Sequence, residues 1–325
     1  MFYRCPETMK VSILIVNYNG KNILKTSLDS LNKISFPGKE YEILVVDNKS
    51  SDGSVEFIKK NYKKVKVVQN KENLGYSGIN KALPYCKGKY ILFLNNDIKI
   101  DKKCVKELLK VVETDSKVGM TVPRLINFYD KNMKSGGTWL SRAFYNGHSN
   151  EKPKQREVPY LGVGLIRNDL VKKFGYLFDP DYFIYAEDVD LGLRIRMLGY
   201  KVVFVPSAIL YHMHAMTTKS FASGRTTFLL ERNILVTFFK VLSFKNIVLF
   251  LPYVLFMRVL ALIKDILTFN FSNAFSRIKA ILWVVFNFNF VYKKRKKLQK
   301  MRKMDDSFLL KVFSEKHLFK KKVIV

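Results

Sequence analysis

The sequence predicts an α/β fold, a mostly parallel mixed sheet flanked by helices, followed by a helical tail. Three observations carry this. Short β-rich apolar runs alternate with helix-patterned segments through residues 1–230. Each apolar run stops in a polar cluster, as strands do where ligands gather at the carboxyl edge of a parallel sheet. From residue 231 onward the composition shifts to Phe, Leu, Ile and Val interrupted singly by Lys or Arg.

The elements follow in order. Residues 11–16 form an apolar strand ending at Asn17-Tyr18-Asn19-Gly20, and 21–31 carry apolar residues at helical spacing. The pattern repeats with a strand over 41–46, the turn Asp47-Asn48-Lys49-Ser50-Ser51-Asp52-Gly53 and a helix over 54–62. A third strand over 65–69, a short helix over 78–86 and a fully apolar strand over 90–94 complete this half, the last stopping at Asn95-Asn96-Asp97. An amphipathic helix over 101–115 and a strand over 118–122 come next. Residues 127–159 show no period and are expected to be a mobile stretch around an acceptor site. Order returns at 160–166, with a helix over 168–174, an aromatic stretch over 178–185, and a helix opening at Glu187-Asp188 and closing at Gly199. A strand over 202–205 is expected to break at Pro206, ahead of Tyr211-His212-Met213-His214.

Charge narrows the partners. The net charge is +30, from 57 Lys+Arg and 27 Asp+Glu, which calls for a polyanionic neighbour: nucleic acid, an anionic membrane surface or a phosphate-bearing substrate. Residues 231–325 hold 20 basic and 5 acidic side chains, so half of the excess sits in the tail. There the longest uncharged stretches, 246–257 and 280–292, fall short of the roughly 20 residues that a bilayer span wants. Interfacial or re-entrant helices are the expectation. The basic run 293–297, directly after an apolar segment with Trp and Tyr, suits docking on an anionic leaflet. Three cysteines without ligand spacing argue against a disulfide framework, and no export signal opens the chain; both fit the cytoplasm, with peripheral attachment to the inner membrane face. Two domains are expected: a catalytic 1–230 and a membrane-associating 231–325.

Transfer of a sugar from a nucleotide diphosphate needs a hold on the base and ribose, neutralisation of the departing diphosphate, and a base for the acceptor hydroxyl. Asp47, ending the second strand, can accept from a pyrimidine N–H. Asp97, ending the fourth, can ligate Mg²⁺ or Mn²⁺. Asp188, at a helix N-terminus whose dipole favours the ionised form, suits a general base. His212 can add an imidazole to the same metal.

The runs VSILIVNYNG, VVDNKSSDGS, NLGYSGINKA, LFLNNDIKI and YAEDVDLGLRIRMLGYKVVFVPSAILYH, in this order, resemble family 2 glycosyltransferases of the GT-A fold, nearest the rhamnosyltransferase-like branch that builds surface polysaccharides. The resemblance covers 11–214 and implies an inverting enzyme with a nucleotide-sugar donor and a saccharide or lipid-linked acceptor. It implies that Asp47 contacts the nucleotide base and that Asn17 lies in the first nucleotide-binding loop. Asn73, Gly75 and Asn80 match the lining of the donor pocket. Asn95, Asn96 and Asp97 match the Asp-x-Asp position, with Asp97 as metal ligand beside His212. Asp188 matches the base, and Glu187 shapes the acceptor site. Asn95 departs from the pattern, where the family carries its first acidic residue. Two other functions are open to the residues: a non-catalytic nucleotide-sugar or polysaccharide binder on the same fold, and a nucleic-acid binder. The latter is disfavoured because no groove-reading motif appears and the basic cluster adjoins an apolar helix.

Overall fold

The computed structural model describes residues 9–37, 40–131, 134–149, 151–213 and 223–315. Strands β1 (Val11–Asn17), β2 (Tyr41–Asp47), β3 (Val65–Gln69) and β4 (Tyr90–Asn95) alternate with α1 (Lys21–Leu31), α2 (Ser54–Asn61) and a 3-10 helix (Gly75–Tyr85). They pair in parallel in the order β3-β2-β1-β4. The side chains of β1, β2 and β4 are almost all buried, as a sheet covered on both faces demands. Next come β5 (Ile98–Ile100), α3 (Cys104–Thr114), β6 (Val118–Asn127), β7 (Thr138–Leu140), β8 (Asn146–His148), β9 (Arg156–Glu157), β10 (Gly164–Arg167), α4 (Asn168–Phe174), α5 (Glu187–Met197) and β11 (Lys201–His212). Antiparallel β10 joins β4 to β6, so the nine-stranded sheet is mixed: β6 and β11 run parallel, and β5 and β9 pair antiparallel with β11. This is the GT-A-like arrangement the resemblance implies.

Three local expectations are corrected. The strand over 202–205 does not end at Pro206; β11 continues to His212, and the pairing register slips between Val205 and Ile209, so a bulge absorbs the residue that cannot donate to the ladder. The short helix over 78–86 is a 3-10 helix starting at Gly75, held at its start against the backbone of Phe183 and mid-way by Asn80. Residues 127–159 are not structureless: β7 and β8 form a hairpin, and Trp139, Leu140, Ala143 and Phe144 are buried. The signal was hidden because Leu140 and Phe144 pack against helices from the far end of the chain.

Those helices are α6 (Ser223–Val241), α7 (Phe244–Leu267), α8 (Phe271–Phe286), α9 (Phe288–Gln299) and α10 (Asp306–Leu310). Helix α6 runs across the compositional change at 231. A second apolar core combines Leu140, Phe144, Tyr160, Tyr182, Val189 and Leu193 with Ile234, Phe238, Leu242, Val291 and Leu309. Ions reinforce it: Lys240 of α6 reaches Asp179 and Asp190, each at 2.6 Å, and Asp190 pairs with Arg194 at 2.7 Å, all fully buried. The end of α6 is closed by α9, where Arg295 donates to the carbonyl of Phe239 at 2.6 Å and Gln299 to that of Val241 at 2.9 Å.

Helix α7 corrects the length expectation for the tail. By length and composition alone its 24 residues, with an 18-residue window of mean hydropathy 2.2, suffice to cross a membrane, and α8 with α9 forms a second apolar pair bent by 68°. Arg258 does not end the helix because it is turned inward, 3.1 Å from Glu231 of α6 and 3.0 Å from the carbonyl of Ala143. The basic run 293–297 is also less free than its sequence suggests. Lys294 pairs with Asp179 and Asp181, and Arg295 is spent on α6, leaving Lys293, Lys296 and Lys297 exposed.

Candidate active site

Strand register assembles the site. Parallel pairing sets Asn17 beside Asp47 and Val16 beside Asn95, so the carboxyl ends of β1, β2 and β4 share one edge of the sheet. A cavity of about 430 Å³ opens there, lined by Asn17, Tyr18, Asn48, Asn73, Gly75, Tyr76, Asn95, Asn96, Asp97, Phe183, Ile184 and Arg225. Six of the residues singled out in the sequence therefore meet in one place: Asn17, Asn73, Gly75, Asn95, Asn96 and Asp97.

Two others support the pocket without lining it. Asp47 is fully buried, and its carboxylate accepts from Asn17 Nδ2 at 3.0 Å, from the Ser50 hydroxyl at 2.6 Å and from the Ser50 N–H at 2.8 Å. It folds the β2–α2 loop and orients Asn17, whose Oδ1 accepts from Asn96 Nδ2 at 2.9 Å. Asn80 spends its amide on backbone, donating to the carbonyl of Phe178 at 2.7 Å and accepting from the Leu177 N–H at 2.8 Å. Gly75 is required by geometry. It has φ +61°, and a Cβ there would meet the carbonyl oxygen of Phe183 at 1.9 Å.

Asp97 and His212 are brought together by the β5–β11 ladder. Antiparallel pairing puts His212 opposite Ile98, and the Met213 N–H donates to the Asp97 carbonyl at 2.9 Å. Nε2 of His212 lies 3.2 Å from Oδ2 of Asp97, whose Oδ1 is buried without a hydrogen-bond partner among the described residues. A buried acceptor left unsatisfied is costly unless something fills it. The oxygen and imidazole nitrogen fit two ligands of a Mn²⁺ or Mg²⁺ ion. No group of three or more His, Cys, Asp or Glu gathers among the described residues. His214 lies outside the described residues.

Glu187 and Asp188 open α5. Before them, Tyr185 (φ 71°) and Ala186 (φ 63°) both take the left-handed conformation, which turns the chain sharply into the helix. Glu187 is buried, its Oε2 without a hydrogen-bond partner among the described residues, while Asp188 is partly buried, its Oδ1 accepting from the Val189 N–H at 2.8 Å. At Asp188 the backbone N–H groups of the helix terminus and burial act in opposite directions on the carboxylate. Burial outweighs the dipole and pushes its pKa up to about 6. Glu187 is driven well above the usual carboxylate range, first by burial and then by the charge of Asp188. Tyr76, lining the pocket, ties the two halves together: burial raises its hydroxyl pKa, and the charges of Asp97, Glu187 and Asp188 push it further up. Asp97 lines the cavity beside Tyr76, whereas Glu187 and Asp188 lie outside its lining.

The sequence reading did not single out Asn48, Tyr76 or Arg225. Asn48 was legible only as a turn residue, yet it donates to the Gly75 carbonyl at 2.8 Å and accepts from Asn70 at 2.7 Å, closing the pocket floor. Arg225, on α6 and 5.7 Å from the Phe183 ring centroid, is one cation among 57, and no local pattern marks it.

Comparison with known proteins agrees with this architecture. A poly(ribitol-phosphate) β-glucosyltransferase of Bacillus spizizenii is 40% identical over 94 residues, 27% of this chain but only 15% of that protein's length. An N-acetylglucosaminyl-diphospho-decaprenol L-rhamnosyltransferase of Mycobacterium tuberculosis is 26% identical over 240 residues, 63% of this chain and 76% of the relative. A mannosyltransferase of Pyrobaculum calidifontis, solved with GDP-Man and Mn²⁺, shares the fold over 96% of this chain and 88% of its own, with a TM-score of 0.55 at 15% identity. The sequence model of glycosyl transferase family 2 matches residues 12–175, half of the chain, and the chain belongs to that family.

Proposed function

We propose that this protein is an inverting, metal-assisted glycosyltransferase that moves a sugar from a nucleotide-diphosphate donor to a saccharide or lipid-linked saccharide acceptor at the cytoplasmic face of a membrane. The observation that carries it is the pairing of Asp97 and His212 beside a cavity whose Tyr76 also stands in the field of Glu187 and Asp188. Asn17, Asn48 and Asn73 line the cavity where the nucleoside sits, and Arg225 offers a cation to the diphosphate. A divalent cation on Asp97 and His212 would neutralise charge building on the departing diphosphate. Asp188 takes the proton of the acceptor hydroxyl as that oxygen bonds to the anomeric carbon, while the carbon–oxygen bond to the diphosphate breaks on the opposite face, inverting the centre. Glu187, kept protonated by burial, donates a hydrogen bond within the acceptor site.

The apolar face of α7 and α8 supports membrane attachment. Phe256, Leu267, Phe275 and Phe286 are exposed, Arg258 and Asp265 are neutralised by Glu231 and Arg277, and the charges left exposed on these two helices include Lys264 and Lys279, both cationic. Exposed Lys293, Lys296 and Lys297 give anionic lipid a counter-charge.

The test is release of nucleoside diphosphate from a panel of UDP-, GDP- and dTDP-sugars with Mn²⁺. Turnover that disappears in Asp188→Asn, with donor binding retained, is the expected result. Turnover at the wild-type rate in that variant refutes the role of Asp188.

A further inference from the structure

Between the pocket wall and the Glu187-Asp188 pair, the chain passes through two consecutive left-handed residues, Tyr185 and Ala186, neither of them glycine. Such a turn persists only where the surroundings over-determine it. Its carbonyls face α6, where Asn233 is fully buried. One amide nitrogen, Asn233 Nδ2, donates to the carbonyl of Ile184 at 3.0 Å and to that of Tyr185 at 2.8 Å. The amide is itself locked, because Oδ1 accepts from Arg232 Nη2 at 2.7 Å, and the Asn233 carbonyl accepts from the Tyr182 hydroxyl at 3.0 Å. On the opposite side, the Tyr76 N–H donates to the carbonyl of Phe183 at 2.9 Å. The turn is therefore gripped from the donor pocket and from α6 together.

We propose that Asn233 is a positioning residue for the reaction: its side-chain amide sets the left-handed turn that presents Glu187 and Asp188 to the acceptor. Asn233 lies on α6 and Asp188 at the start of α5, both beyond residues 12–175 matched by the family, so the bonds from α6 join two parts of the chain outside that stretch. An amide is suited to this work. It has two N–H donors on one nitrogen for the two carbonyls and an oxygen left to accept from arginine, a set that neither a hydroxyl nor an apolar side chain of that size supplies. The inference rests on the reading of Asp188 as base.

Four purified full-length variants are compared with wild type on the donor that it turns over, with Mn²⁺: Asn233→Leu, Asn233→Ser, Leu235→Ala and Asp188→Asn. Leu235 is buried in the same helix and touches neither carbonyl, so it reports loss of packing alone. The expectation is a fall in kcat of about 100-fold for Asn233→Leu, the scale of a displacement of about 1 Å at the reacting groups, with donor KM within twofold. Asn233→Ser, which keeps one donor, falls between, and Leu235→Ala keeps kcat within a few-fold despite a lowered Tm. Equal kcat losses in Asn233→Leu and Leu235→Ala, or wild-type kcat in Asn233→Leu, overturn the proposal. If Asn233→Leu does not fold, Asn233→Ser decides it: a kcat no lower than that of Leu235→Ala overturns it too. Asp188→Asn separates the two ideas, because activity in that variant removes the base reading itself, whereas its loss alongside intact Asn233 variants removes only the positioning role.

Discussion

Replacing Asp188 with Asn separates stability from activity at a single atom. The amide is isosteric, and its oxygen can keep the 2.8 Å bond from the Val189 N–H. What it removes is the cost of a charge held in a desolvated place. The pKa of Asp188 is raised from 3.8 to about 6, a difference that corresponds to at most about 3 kcal/mol. The sign follows from proton binding. Between roughly pH 4 and 6 the folded protein holds this proton more tightly than the unfolded chain, so the contribution favours folding at low pH and is lost as pH rises through about 6. Above pH 6 the wild type therefore carries the full penalty and the variant none. Removing the charge also relieves Glu187, which acts in the same direction. Asp188→Asn should melt higher than wild type at pH 8 by roughly 5 °C, with the gap closing toward pH 4, while transfer is lost. Differential scanning fluorimetry in a pH series, run beside the release assay, measures both. A melting difference that does not change with pH, or a variant less stable at pH 8, refutes the claim that Asp188 is a destabilised, function-driven carboxylate.

Other outcomes follow from the same geometry. In wild type, kcat/KM should rise with pH through an acid limb centred near 6, because the base must be unprotonated; a flat profile from pH 5 to 8 contradicts this. Gly75→Ala should abolish donor binding and lower Tm by several degrees, since its Cβ meets a carbonyl oxygen at 1.9 Å, and isothermal titration with UDP, GDP and dTDP in the presence of Mn²⁺ reads the loss. Asn95→Asp adds a carboxylate to the pocket beside Asp97 and should tighten Mn²⁺ binding by about tenfold, followed by the paramagnetic signal of free Mn²⁺. Glu231→Gln leaves Arg258 and Arg277 short of their counter-charge and should cost about 3–5 kcal/mol in urea unfolding. Phe256→Asp with Phe275→Asp should release the protein from vesicles of anionic phospholipid in a flotation assay, since each exposed ring offers about 2 kcal/mol of burial.

What could be read in advance followed short-range chemistry. Strands β1, β2 and β4 announce themselves because both faces are apolar, and their polar stops mark Asn17, Asn95 and Asp97 as an edge. His212 was legible as a partner of Asp97, but the means that brings them together, the three-residue strand β5 paired with β11, was too short to signal itself. Asp47 was legible as an acid at the strand end, while its bonds to Asn17 and Ser50, which shape the loop, were not. The hairpin at 138–148 and the full length of α7 were hidden for a common reason. Leu140 and Phe144 in the first pack against α6, more than 80 positions away, and Arg258 in the second reaches Ala143 and Glu231, 115 and 27 positions away, contacts that no local pattern records. Asn233 belongs to the same class.

The account turns on where a nucleoside diphosphate and its metal sit. A crystal soaked with Mn²⁺ and the nucleoside diphosphate of the preferred donor should show the ion within about 2.3 Å of Asp97 Oδ1 and His212 Nε2, bridging the diphosphate, with the base over Asn17 and Asn48 and Asp188 facing the open side of the cavity. An ion held elsewhere, or a nucleotide bound away from the edge formed by β1, β2 and β4, would contradict it.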